Sequence, residues 1–288
     1  MARIAALVIL YNPDKNILDN INSFVNQVDK VFIVDNSELL NQVLVNNLAS
    51  IKNVEYIFNN SNIGVAAALN IGAQKAIDQG FDFLLTMDQD SKATNGMVEE
   101  LLSINQSSKN VGIVSAEHLD IDIQSQPKPE NVYVKDVLST ITSGNILCLD
   151  AYKSVGGFLD KLFIDHVDHE YCLRLLKNNY KVIKTNRVLV FHKLGNSNRR
   201  KFFRWTFYPS NHSPLRLYYR TRNRLFVDKL YRKAFPEYVR RDKRNFIREL
   251  FEIIVFEKKI LAKISMIIKG YIDYKKNLYG KYLNANNK

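Results

Sequence analysis

Two cysteines in 288 residues, Cys148 and Cys172, are too few for a disulfide framework or a four-cysteine zinc site, and they fit a reducing cytoplasm. The histidines form no His-Glu-x-x-His pair, so a zinc hydrolase of that type is excluded. No uninterrupted apolar run approaches the roughly 20 residues of a membrane-spanning helix. The N-terminal stretch Ile4–Leu10 is short, lacks a cleavage-like region and runs into Tyr11-Asn12-Pro13-Asp14. It reads as a first strand, not a signal peptide. No Gly-x-Gly-x-x-Gly follows it, which removes the dinucleotide fingerprint. Internal repeats and low-complexity tracts are absent. Hydrophobic residues at 46% and charged residues at 24% exclude a disordered or fibrous chain. The length suits one large domain, or a catalytic domain with a smaller module.

What is present is unevenly charged. The chain carries +12 overall, but residues 1–192 hold 16 Lys and Arg against 22 Asp and Glu, while residues 193–288 hold 25 against 7. The two parts are therefore −6 and +18. Such a split predicts two functional parts, residues 1–200 and 201–288, the basic one facing a polyanion or an anionic membrane.

The first half alternates apolar and helical stretches. Ile4–Leu10, Val31–Val34, Val54–Phe58 and Phe81–Met87 read as strands. Asp14 is placed to cap a helix through Ile17, Ile21, Phe24 and Val25. Further helices run through Leu40, Val43, Leu44 and Leu48, and from Val65 to Gln79. This alternation predicts an α/β fold with a mostly parallel central sheet and helices on both faces. In such sheets ligands bind beyond the carboxyl ends of the strands. Tyr11-Asn12, Asp35-Asn36-Ser37 and Asp88-Gln89-Asp90 all fall there. Residues 120–135 read as a loop, with strands around Val132–Val137, Ile141–Leu149 and Tyr180–Phe191, and a helix from about Val167.

Asp88 and Asp90, two carboxylates at i and i+2 on a strand end, suit a hard divalent cation that also holds phosphates. The other reading is a solvated turn with Asp90 or Ser91 starting a helix. Asn62-Ile63-Gly64 opens an Ala-rich helix whose N-terminus favours anions. The run Phe163-Ile-Asp165-His166-Val-Asp168-His169-Glu170 concentrates acids, and a carboxylate there can serve as a general base. His192 ends a strand and can complete a metal and diphosphate site with Asp88 and Asp90.

Taken in order, Val34-Asp35-Asn36-Ser37, Asn62-x-Gly64, Asp88-Gln89-Asp90, Gly156-Gly157-Phe158, Asp165-x-x-Asp168-x-Glu170-x-x-x-Arg174 and Phe191-His192 resemble the family 2 glycosyltransferases with a GT-A fold. The match covers about residues 3–230. Within that family the chain is most similar to bacterial rhamnosyltransferases of polysaccharide assembly, through Thr86-Met87-Asp-Gln-Asp-Ser, the Phe163–Arg174 run and Ser213-Pro-Leu-Arg-Leu-Tyr-Tyr-Arg-x-Arg-Asn223. The resemblance implies that Asp35 contacts the nucleobase and Asn62 the nucleotide, with Tyr11 and Asn12 beside them. It implies that Asp88 holds ribose or phosphate, and that Asp90, with His192, ligates Mg2+ or Mn2+. Asp168 takes the base position. Family members commonly carry Glu-Asp there; here the pair is Val167-Asp168, and Asp165 is placed to supply the missing charge. Gly144 and Arg174 are supporting positions. One base and one metal imply a single displacement with inversion, without the covalent intermediate of a two-carboxylate retaining scheme.

In the basic part, Arg199-Arg200-Lys201-Phe202-Phe203-Arg204-Trp205 and Arg216-Leu-Tyr-Tyr-Arg220-Thr-Arg222-Asn-Arg224 mix cations with aromatics. That pattern suits nucleic acid or a membrane interface. From Phe246 to Lys269 an apolar face carries Ile247, Leu250, Phe251, Ile254, Leu261, Ile264 and Ile268, interrupted by Glu257-Lys258-Lys259. It reads as membrane-surface docking, or as packing on the catalytic domain or in a homodimer. The expectation is a cytoplasmic enzyme, peripheral at the inner face of the bacterial cell membrane, that transfers L-rhamnose from dTDP-rhamnose to a lipid-linked saccharide. The alternatives are the same fold with a UDP-sugar or galactofuranose donor, and a metal-dependent nucleotidyltransferase. A non-catalytic nucleic-acid-binding protein gives no reason for carboxylates at strand ends, so no nucleic-acid partner is expected.

Overall fold

The computed structural model describes residues 2–120, 131–192, 200–202 and 205–283. The chain divides into two compact units, residues 1–160 with 171–193, and residues 161–170 with 194–288.

The first unit is built on β1 (Ile4–Leu10), α1 (Ile17–Asn22), β2 (Lys30–Asp35), α2 (Gln42–Ala49), β3 (Val54–Phe58), α3 (Val65–Asp78) and β4 (Phe83–Asp88). β5 (Ser91–Ala93), α4 (Met97–Ser107), β6 (Val111–Asp120), β7 (Val134–Asp136), β8 (Asn145–Cys148) and α5 (Leu149–Val155) follow, then α6 (Val167–Lys177) and β9 (Lys181–His192). The boundary between the units falls inside α6, after Glu170. The sheet order is β3-β2-β1-β4-β8-β6-β9-β5, with β7 on β9. The run β3-β2-β1-β4 is parallel, as is β6 with β9, while β8, β5 and β7 pair antiparallel.

Alternation along β1 explains why two layers of helices are needed. Ala6, Val8 and Leu10 pack with Ile17, Ile21, Phe24, Met97, Leu101 and Ile104 in one apolar core. On the other face α3 buries Ala66, Leu69, Ala73 and Ala76, and Leu7 closes on Gly72. Each fully buried Leu, Ile or Phe contributes roughly 1.5–3 kcal/mol of burial.

Local chemistry departs from expectation in a few places. Asp14 does not cap α1; its Oδ1 accepts from the Asn16 amide in a local turn, and Asn16 occupies the cap without a side-chain bond. Phe24 and Val25 lie beyond α1, Val25 opening a 3-10 turn. Leu40 precedes α2, whose cap is Asn41 accepting from the Leu44 amide. Ser91 starts no helix but enters β5, which pairs with β9. The strand expected over Ile141–Leu149 narrows to β8, and the one over Val132–Val137 to β7. Most of the expected loop, residues 121–130, lies outside the described residues.

The second unit contains β10 (Arg200–Phe202) and β11 (Trp205–Phe207), paired antiparallel, then α7 (Pro214–Tyr231), α8 (Pro236–Phe256) and α9 (Ile260–Lys275). Of the basic–aromatic run 199–205, Arg199, Phe203 and Arg204 lie outside the described residues. Ser213 caps α7 by accepting from the Arg216 amide, and Pro214 sits at its first turn, where a missing N–H costs nothing. α9 lies close on α7: a Cβ at Gly270 would stand 2.6 Å from the Tyr218 carbonyl oxygen. The interruption expected at Glu257–Lys259 is a real break, with Lys259 at φ +57. Glu257 there is buried, paired with the Lys263 ammonium, and accepts from the Asn211 amide at 2.9 Å. The apolar residues of α8 and α9 divide: Ile253 and Ile267 are buried with Leu217, whereas Ile247, Ile254, Leu261 and Ile268 are exposed. Among the described residues no helix is long and apolar enough to cross a membrane.

Candidate active site

Parallel pairing brings three strand ends to one edge of the sheet. Leu10 is opposite Asp35 and Ile9 opposite Asp88. The chain therefore leaves β1, β2 and β4 on the same side, with β1 between its two neighbours, which is where α/β sheets bind ligands. The three expected clusters meet there through hydrogen bonds. The Tyr11 amide donates to Gln89 Oε1 at 2.9 Å, and the Asn12 amide donates to Ser37 Oγ at 2.9 Å. Asn20 Nδ2 donates to the Gln89 carbonyl at 2.7 Å. Tyr11 and Asn12 are exposed.

Asp35 is 1% exposed. Its Oδ1 accepts from the Ser37 amide at 2.8 Å and its Oδ2 from the Tyr56 hydroxyl at 2.6 Å. Burial and this carboxylate push the Tyr56 hydroxyl well above its ordinary value. Asn36 Nδ2 donates to the Gly64 carbonyl at 3.1 Å, and Asn36 Oδ1 accepts from Asn59 at 2.8 Å. Asn62 Oδ1 accepts from the Gly64 amide at 3.0 Å and shapes the turn into α3. The loop that would meet a nucleotide is thus fixed by its own amides and carboxamides.

Asp88 and Asp90 are half-buried at the end of β4. The Asp88 amide donates to Ser143 Oγ at 3.1 Å, and Ser143 Oγ donates to Ser91 Oγ at 2.8 Å. Gly144 follows at φ +70, with its amide on the Thr86 carbonyl at 2.8 Å; a Cβ there would meet Val190 at 2.4 Å. Its place is therefore structural, letting the chain pass close to β9. Ser91 is the register partner of His192 on β9, which sets the His192 backbone one residue from Asp90 across the ladder. The side chain of His192 lies outside the described residues. Among the described residues no three His, Cys, Asp or Glu side chains cluster as a complete metal site. The carboxylates of Asp88 and Asp90 are of the donor type that a hard divalent cation takes, with phosphate oxygens to complete its shell.

Arg174 lies at the C-terminal half of α6. Its Nη1 donates to the Val155 and Gly156 carbonyls, both at 3.2 Å, where α5 ends. It is placed to cap that helix.

In the second unit the acid run precedes and opens α6. Asp168 is half-buried in the first turn, with Oδ1 accepting from the His169 amide at 2.8 Å. Asp165 stands 3.4 Å from Arg216 and 3.7 Å from Arg220, so its charge is paired within the unit. Glu170 is buried and accepts from the Tyr231 hydroxyl at 2.8 Å. His169 Nδ1 meets the Tyr238 hydroxyl at 2.7 Å, and burial holds its imidazole below the ordinary value. His166 lies 3.7 Å from Asp242, which Arg224 binds at 2.7 Å. Burial alone would raise the Asp242 carboxyl, but His166 and Arg224 outweigh it and hold it at about 2.

This unit corrects one reading of the sequence. The run from Arg216 to Arg224 is not a surface for a polyanion. Tyr218, Tyr219, Arg222 and Arg224 are all buried, with Arg224 shared between Asp242 and Glu249.

The fold, a sheet with its ligand edge at β1, β2 and β4, is that of GT-A glycosyltransferases. Crystal structures of that kind superpose on the chain: GalNAc-T7 with UDP, GalNAc and Mn2+ at a TM-score of 0.61 and 12% identity, over 83% of this chain and 50% of that one. Residues 1–349 of S. aureus TarS in complex with UDP-GlcNAc superpose at 0.55 and 12% identity, over 99% and 95%. The sequence model of glycosyl transferase family 2 matches residues 6–131. The dTDP-rhamnosyl transferase RfbF of Shigella flexneri is 30% identical over 241 residues, 77% of this chain and 78% of RfbF. The chain belongs to glycosyl transferase family 2.

Proposed function

We propose that this chain transfers L-rhamnose from dTDP-rhamnose to a saccharide acceptor, with inversion at the anomeric carbon. The observation that carries the donor is the similarity to the dTDP-rhamnosyl transferase RfbF across 77% of the chain. In this reading residues 1–200 are the catalytic domain and residues 201–288 serve acceptor or membrane association.

Asp35, Asn62, Tyr11 and Asn12 take the nucleotide, and Asp88 takes ribose or phosphate. Asp90 and His192 are the residues that would hold Mg2+ or Mn2+, which neutralises charge on the departing diphosphate. Asp168 acts as general base. It removes the proton of the acceptor hydroxyl, whose oxygen forms the new bond to the anomeric carbon. The bond from that carbon to the diphosphate oxygen breaks, and the nucleoside diphosphate leaves. Asp165 is already paired with two arginines, so it supports the reading of Asp168 as the basic member of the run.

A screen of nucleotide sugars with Mg2+, Mn2+ or chelator, scored by nucleoside diphosphate release, tests this reading. dTDP-rhamnose should give the highest kcat/KM and chelator should stop turnover. Preference for a UDP-sugar would replace the donor, and release of pyrophosphate from a nucleoside triphosphate would replace the reaction class.

The proposed acceptor is lipid-linked, at the anionic cytoplasmic face of the membrane. Exposed Ile247, Ile254, Leu261 and Ile268 on basic helices support this placement. Binding to anionic vesicles should weaken with salt without vanishing. A protein that sediments as a dimer and ignores vesicles would assign those residues to a homodimer instead.

A further inference from the structure

Between Leu162 and α6 the backbone enters the left-handed region three times, at Phe163 (φ +66), Asp165 (φ +63) and His166 (φ +62). Asp tolerates that region, but a bulky side chain such as Phe rarely adopts it. A segment of this kind persists only where its surroundings over-determine it. Its main-chain carbonyls are bound by two consecutive residues of α7. Asn223 is fully buried. Its Nδ2 donates to the carbonyls of Leu162 at 2.7 Å, Ile164 at 2.7 Å and Asp165 at 3.0 Å. A carboxamide nitrogen has two hydrogens, so one of them is shared between two carbonyls.

Arg222, also buried, fixes which way that amide faces. Its Nε donates to Asn223 Oδ1 at 3.0 Å. Flipping the amide would set an oxygen against three carbonyls and a nitrogen against a guanidinium. The same guanidinium reaches the carbonyls of Lys161 at 3.4 Å and Leu162 at 3.3 Å, and Gly280 at 2.9 Å. Phe163 stacks on Tyr219, with ring centroids 5.1 Å apart and planes 19° apart. Apolar packing would suffice to hold a loop against a helix. Here a buried polar pair is spent on the carbonyls of the segment that leads, within two residues, to Asp168.

We propose that Asn223, oriented by Arg222, is a positioning residue that holds the Phe163–His166 segment in its left-handed path and thereby sets the placement of Asp168. Its consequence for turnover rests on Asp168 being the base; the conformational part does not.

The test uses the full chain with Asn223→Ala and with Asn223→Asp, which keeps the shape but faces the carbonyls with oxygen. Hydrogen exchange of the peptide 161–170 should rise while α7 stays protected. kcat should fall by roughly 10- to 100-fold, the size expected when a reacting group is misplaced by about 1 Å. The donor KM should stay within about twofold, and adding Asn223→Ala to Asp168→Asn should lower kcat no further. Unchanged exchange in 161–170, or wild-type kcat in a folded variant, would overturn the proposal, and full additivity with Asp168→Asn would overturn the route through Asp168. If Asp168→Asn turns over like the wild type, the base assignment falls, and exchange still decides whether Asn223 positions the segment. Should both Asn223 variants fail to fold, Arg222→Lys keeps the charge but loses the donor to Oδ1. It should show the same changes more weakly, and wild-type exchange in it would overturn the proposal.

Discussion

Asp35 in the sheet unit and Asp242 in the helical unit are both buried carboxylates, but they are held by different partners. Asp35 accepts from a main-chain amide and a tyrosine hydroxyl. Asp242 is bound by Arg224 and faced by His166, and Asp165 and Glu249 are likewise bound by arginines. Neutral donors hold a carboxylate in place while leaving its charge available. Arginines cancel it inside the protein. Asp35 is therefore held without a cation bonded to it, and the helical unit uses most of its acids on itself. Asp168, bonded to its neighbouring amide, follows the pattern of Asp35 although it belongs to the helical unit.

The contrast is sharpest if acids of the first kind can be removed with loss of activity and acids of the second kind with loss of stability. Asp90→Ala should give the largest effect, transfer below detection with the fold retained, because a half-buried strand-end carboxylate contributes little to the core. Thermal unfolding and nucleoside diphosphate release measured together check it; full activity in chelator would remove Asp90 from any metal role. Asp168→Asn should lower turnover by about 10²–10⁴ with donor affinity largely kept. A variant that turns over like wild type would place Asp168 with the structural acids.

Arg224→Leu should behave in the opposite way. It leaves buried Asp242 with only His166 beside it, while Glu249 keeps Arg220, and breaking such a buried pair typically costs about 3–5 kcal/mol. Chemical denaturation should show that loss, with kcat per folded molecule little changed. A stable but inactive variant would mean that the network takes part in the reaction.

How much of this could be read in the sequence follows from the same contrast. Strand ends are legible because apolar runs stop abruptly at Asp35 and Asp88, and parallel pairing then forces those ends together. The Ala-rich α3 is legible from its small residues and the turn at Asn62-Ile63-Gly64. The buried arginines of α7 are not. A run such as Arg220-Thr-Arg222-Asn-Arg224 has the composition of a solvated face; distant partners turn it into an interior, the carboxylates of α8 for Arg220 and Arg224 and main-chain carbonyls for Arg222. Likewise the left-handed path through Phe163, Asp165 and His166 has only a weak signal in residue type: Asp and His tolerate it, but Phe163 does not announce it and no glycine does. Arg174 illustrates a third case: the motif located it, but its bonds are to the end of α5.

The smallest effect tests whether the helical unit cancels all its acids. Asp228 is buried, and its Oδ1 has no hydrogen-bond partner among the described residues. Burial, and then the nearby Asp242, push its carboxyl up from 3.8 to about 6. A carboxyl whose folded value is raised binds its proton more tightly when folded. Its stabilising contribution is complete below about pH 4 and is lost as pH rises through about 6. His212 has the opposite sign. Burial, with Arg220 and Arg216, lowers it from 6.5 to about 4, so its contribution is complete above about 6.5 and is lost as pH falls through about 4. His169, lowered by desolvation, acts in the same direction as His212. In the wild type the carboxyl therefore offsets part of the loss that the histidines cause on acidification. Asp228→Asn imitates the protonated carboxyl at every pH. It should stabilise the protein by up to about 3 kcal/mol at pH 7, with the gain shrinking to nothing near pH 4. Denaturation curves of wild type and variant at pH 4, 5, 6 and 7 measure that gap directly. A gap that does not change with pH would mean that Asp228 carries its charge without penalty, like the arginine-bound acids around it.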